Sequence, residues 1–152
     1  MSVAFRRDSD EEHREPRFEL PIPAGPNWVT PRGLALIEAK RAELAAAIEA
    51  EADVERREVL RRELRYWHTR HATAALAAAP APGEAGIGSR VSFRLAGTTR
   101  EVEIVGADEA DPAAGRIAYH APLARALIGA GVGDRVDFSG RAEAIEVLAV
   151  AP

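Results

Sequence analysis

Neither proline nor glycine occurs between Leu34 and Ala79. Both break helices, so a run this long without them can be helical throughout. Apolar residues recur along it at Leu34, Ile37, Leu44 and Ile48, with Arg41 in the vacant slot. A second series runs Leu60, Leu64, Trp67, His71, Ala74 and Ala78. Steps of three and four residues are those of a helical seam. One unbroken helix would leave the seam bare, whereas an antiparallel hairpin covers it from within the chain. The polar stretch "EAEADVERRE", residues 49–58, is the expected turn, with Asp53 as N-cap of the second helix. Folding back there sets Ile48 near Leu60, Leu44 near Leu64, Arg41 near Trp67 and Ile37 near His71. Arg41 over Trp67 would be a cation–π pair. Thr30 and Pro31 suit the start of the first helix, as cap and first helical residue.

The flanking segments obey other rules. Residues 1–29 are charged and proline-rich, and are expected to form a flexible tail. "AAAPAPGEAG", residues 77–86, breaks the helical pattern, so a linker is expected over 80–87 after a hairpin over 30–79. From residue 88 to 152 the period falls to two. Val91, Phe93 and Leu95 alternate before Gly97, and Val102 and Ile104 after it, which reads as a β-hairpin. "GRIAYH" reads as a strand, "APLARALIGA" as a short helix, and "GDRVDF" and "AEAIEVLAV" as two more strands. The expected fold is thus α+β, an N-terminal antiparallel helical hairpin (a coiled coil) followed by a small α+β domain.

Several chemistries are excluded. Without cysteine there are no disulfides or thiolate metal sites. No apolar run approaches the ~20 residues that span a bilayer, and the N-terminus lacks a signal-peptide core. A cytoplasmic protein without membrane attachment is expected. A formal net charge of −4 argues against a general nucleic-acid coat. The most provocative stretch is "DEADPAAGR", with Asp108, Glu109 and Asp111 in four positions. A helicase would also need a phosphate loop with its lysine, and the one lysine, Lys40, lies in mid-helix. An EF-hand would need glutamate at the twelfth position, where Tyr119 stands. A turn between strands is the remaining reading. His68 and His71 share a helix face at i, i+3, without a supporting carboxylate at helical spacing. No catalytic residue, metal ligand set or resident cofactor is expected.

"IVGADEADPAAGRIAYHAPLARALIGAGVGDRVDF" resembles the C-terminal domain of the bacterial Gre transcript-cleavage factors, GreA and GreB. That family writes a strand ending I-V-G, an acidic turn, G-R-I-S, S-P-L-A-R-A-L-L-G and V-G-D-x-V. "TPRGLALIEAKRAEL" is similar to the family's opening of its helical hairpin. The resemblance implies an FKBP-like C-terminal domain docked on RNA polymerase, with the hairpin in the secondary channel. It implies docking through His120, Pro122, Leu123 and Arg125. Family tips carry G-D-x-S-E-N-A-E-Y, whose acids help hold the polymerase's second Mg²⁺. Here the tip offers Glu51, Asp53 and Glu55 instead, on shorter arms. Ala121 also replaces the serine expected to cap the short helix, a loss of ~1 kcal/mol that His120 is expected to offset in part.

These features imply a monomeric elongation regulator that binds RNA polymerase and does not stimulate cleavage. Its basic face, Arg57, Arg61 and Arg65, would meet acidic polymerase surface or nascent RNA. Two alternatives stand beside it: an active cleavage factor using Asp53 and Glu55 at the polymerase metal, and a short-hairpin regulator of another enzyme such as nucleoside diphosphate kinase.

Overall fold

The computed structural model describes residues 19–152. Most of the expected tail, residues 1–18, lies outside the described residues. Its last part is structured: Asn27–Val29 is a strand, β1, with Asn27 and Val29 buried.

The helical run folds back on itself as two helices, α1 (Pro31–Ala50) and α2 (Val54–Thr73). Thr30 caps α1, its hydroxyl accepting from the Gly33 amide at 3.0 Å, and Pro31 opens the helix without losing a bond. Asp53 caps α2 by accepting from the Arg56 amide at 3.2 Å. The break falls at 51–53, within the polar stretch. Ile37 and Leu44 are the buried apolar residues of α1. Two details differ from expectation. The helix stops at Thr73, and Ala74–Leu76 becomes a strand, β2, pairing parallel with β1 through Asn27↔Ala74 and Val29↔Leu76. The strand pair ties the entry and exit of the hairpin together, which the helical reading of Ala74 and Ala78 did not anticipate. Arg41 also does not stack on Trp67; its Nε–H donates to His68 Nδ1 at 3.1 Å, while Trp67 packs edge-on against Tyr66.

The C-terminal domain is a five-stranded sheet. Its strands are β3 (Arg90–Leu95), β4 (Thr98–Val105), β5 (Arg116–Ala118), β6 (Arg135–Phe138) and β7 (Arg141–Ala151), in the order β5-β4-β3-β7-β6. Ala96 and Gly97, both at positive φ, make the two-residue turn from β3 to β4, the conformation that matches strand twist. Alternation along β3, β4 and β7 buries Val91, Phe93, Val102, Ile104, Ile145 and Val147 on one face. The short helix α3 (Pro122–Leu127) covers that face with Ala124 and Leu127. The expected linker is partly core: Ala85 is buried, and its amide donates to the Ala130 carbonyl at 2.8 Å.

Candidate functional site

The hairpin tip is a closed turn. Asp53 spends a carboxylate oxygen on the helix cap, and Glu51 Oε1 accepts from the Asp53 amide at 3.1 Å. The Arg57 guanidinium donates to the Glu51 carbonyl at 3.0 and 2.5 Å. Arg56 Nε lies 3.9 Å from Asp53 Oδ2. Glu55 is exposed in the first turn of α2, where the helix dipole favours an anion. Two of the three expected tip acids thus serve the turn itself, beside two cations.

The expected basic face is divided. Arg57 closes the tip, Arg61 is exposed, and Arg65 grips Glu19 through Nε and Nη2 at 2.8–3.1 Å. The bond from Arg65 holds the Glu19 carboxyl below its usual range and raises the guanidinium in turn.

On the C-terminal domain, His120, Pro122 and Arg125 are exposed, whereas Leu123 is half-buried against the sheet core. Pro122 and Arg125 border a shallow pocket of about 360 Å³ with Asp137 and Phe138. Ala121 leaves α3 without a side-chain cap. His120 does not supply one, but rests edge-on against Tyr119 at 5.4 Å.

The acidic turn proves to be the joint between hairpin and domain. Ala107–Glu109 forms a short 3-10 turn after β4. Asp108 reaches α2, accepting from Arg70 Nε at 2.6 Å and from the Tyr66 hydroxyl. Arg70 also donates to Asn27 Oδ1 at 2.7 Å, and Asn27 donates to the Arg70 carbonyl at 2.8 Å. Glu109 reaches the start of α1, accepting from Arg32 Nε at 2.5 Å and from the Thr30 hydroxyl. Arg32 also bonds Glu103 on β4. The ion pair is buried, with side-chain exposure of 3% for Arg70 and 8% for Asp108. Burial first, then the bond to Asp108, pushes the Tyr66 phenol up to about 12. Sequence reading took "DEADP" for a turn, which it is, but missed its partners. These lie 38 to 79 positions away, beyond any local spacing.

A second feature was also missed. Trp28, Leu76 and Ile128, at 39%, 56% and 41% exposure, border an apolar groove of about 500 Å³ together with Pro80 and Ile87. They come from separate segments, so no run of sequence announces the groove. Among the described residues no three His, Asp or Glu side chains are placed to share a metal ion, and no helix is long and apolar enough to cross a membrane.

Comparison with known proteins bears on the C-terminal domain. A family model described as "Transcription elongation factor, GreA/GreB, C-term" matches residues 79–152. Transcription elongation factor GreA of Mesoplasma florum is 51% identical over 53 residues, 34% of this chain and 34% of that protein. GreA of Nautilia profundicola is 65% identical over 34 residues, 22% of this chain and 21% of that protein. The matched stretch thus spans about a third or less of these relatives. A solved structure of the transcription factor Gfh1 aligns at 20% identity and a TM-score of 0.42, covering 86% of this chain and 100% of that one.

Proposed function

We propose that this protein, whose residues 79–152 match the family model of the GreA/GreB C-terminal domain, is an elongation regulator of RNA polymerase that lacks transcript-cleavage activity. The C-terminal domain docks on the polymerase, with His120, Pro122 and Arg125 on the contacting surface and Leu123 supporting them from the core side. The hairpin enters the secondary channel. It brings no catalytic centre or cofactor of its own.

The tip carries this reading. Stimulating cleavage requires carboxylate oxygens free to approach a polymerase Mg²⁺ at ~2.0–2.1 Å. Asp53 is committed to capping α2, Glu51 to the Asp53 amide, and Arg56 and Arg57 sit beside them. Cations at that distance compensate carboxylate charge and weaken its pull on a metal. Each arm is 20 residues, or about 30 Å at 1.5 Å per residue, which supports a plug more than a reaching catalyst.

The test is a backtracked elongation complex with labelled RNA and the cognate polymerase. No release of short 3′ fragments above the polymerase's intrinsic rate is expected, with slower cleavage when a true cleavage factor competes. Fragment release that Asp53→Ala with Glu55→Ala abolishes would establish the active-factor alternative. Co-purification with nucleoside diphosphate kinase instead of polymerase would assign the fold another target.

A further inference from the structure

We infer that Asp108 and Glu109 are positioning residues that fix the direction of the hairpin relative to the C-terminal domain, so that holding the domain aims the tip. The two carboxylates are neighbours in sequence but grip different helices. Asp108 takes Arg70 and Tyr66 on α2, and Glu109 takes Thr30 and Arg32 at the start of α1. A grip on one helix leaves a pivot. Grips on both, from one short 3-10 turn, leave neither rotation nor tilt free.

The surroundings make the grip stiff. Arg70 is held from its other side by Asn27, so it cannot swing away with Asp108. Arg32 spans Glu109 and Glu103, which anchors it to β4 as well as to the turn. For the buried Arg70–Asp108 pair the loss of one partner is costly, because the survivor would stay uncompensated in a low dielectric. Two glycines allow the close approach. A Cβ on Gly106 would lie 2.5 Å from the Trp28 carbonyl oxygen, and one on Gly33 would lie 2.8 Å from Glu109 Oε1. The Tyr119 hydroxyl adds a third tie by donating to the Pro26 carbonyl. Beside these contacts the two units are joined by the alanine- and proline-rich stretch after β2.

The aiming is a property of the free protein. Its use at the polymerase rests on the function proposed above, and the experiment separates the two. The chain has no cysteine, so Ala52→Cys at the tip and Ala142→Cys on the domain place two spin labels cleanly. Pulsed dipolar spectroscopy on the full chain is expected to show one narrow distance distribution. Asp108→Asn with Glu109→Gln should replace it with a broad one while the far-ultraviolet circular dichroism stays helical. Asp111→Asn, an exposed acid of the same turn, should leave it narrow. If the double variant loses its helical signal, the comparison is made on Glu109→Gln alone, again with broadening expected. A broad distribution in the parent, or a narrow one in the folded variant, overturns the inference. With polymerase added, the variant should still bind while losing site-specific cross-linking from the tip into the channel. A parent that never binds polymerase would refute the functional proposal and leave the distance result standing.

Discussion

Tyr66 is the residue through which the joint can be observed. Its phenol is raised from 10.0 to about 12 by burial and by the bond to Asp108. A group whose folded pKa is raised favours the protonated form in the folded state. Its contribution to stability is therefore complete below pH 10 and is lost as pH rises through about 12. The chain has two tyrosines, so absorbance at the phenolate band should show a late-titrating component that is missing in Tyr66→Phe. The same substitution should cost ~1.5–3 kcal/mol near neutrality, the worth of a hydrogen bond to a charged acceptor, measured by urea denaturation. It should also flatten the alkaline fall in stability. At this scale sequence reading succeeded where a role is local. Thr30 and Asp53 bond amides three residues ahead, and both were legible as caps. Asp108 and Glu109 bond residues brought together only by the finished fold, and nothing in their neighbours distinguishes them from solvated turn acids.

Among the elements, the hairpin was the most legible, because its seam is periodic and its caps are local. The errors cluster where periodicity continues past the point at which tertiary pairing takes over. Ala74 keeps the helical step, but β1 claims it as a strand partner. A strand of three residues, Asn27–Val29, offers too short a pattern to be read beside prolines. Inside the hairpin, Ile37 is 0% exposed and Leu44 6% exposed. Leu44 therefore meets the condition for a large truncation effect, and Leu44→Ala should cost ~2–4 kcal/mol in denaturant unfolding. A cost below ~1 kcal/mol would mean that the site collapses around the deletion or that the seam there is loose. In the sheet domain, the alternation of Val91, Phe93 and Leu95 with Val102 and Ile104 that reads as a hairpin follows the inner face of the sheet, with Leu95 only partly buried there. The parallel pairing of β5 with β4 was not readable, since "GRIAYH" signals a strand but no direction.

At the scale of the whole molecule the two halves differ in how they are held. The sheet domain encloses a contiguous core around Phe93, Ile104, Leu127 and Ile145, all fully buried. The hairpin is thin: α1 buries Gly33, Ile37 and Leu44, and the one buried residue of α2 is Arg70, which faces the joint. A two-helix element with so little enclosed surface borrows stability from what it leans on. It follows that the joint is worth more to the hairpin than to the sheet, and Gly106 allows this to be tested without touching a charge. Its φ of −71 is open to any residue, so alanine there brings no backbone strain of its own. The added Cβ would, however, stand 2.5 Å from the Trp28 carbonyl oxygen in β1, and the two backbones must part. Gly106→Ala should lower stability by ~1–3 kcal/mol, as overpacking does. In hydrogen exchange, the loss should fall on amides of α1, α2 and β1, while β3 and β7 keep their protection. Equal losses in both halves would mean that hairpin and sheet unfold as one cooperative unit, with the joint as much a part of the core as Phe93.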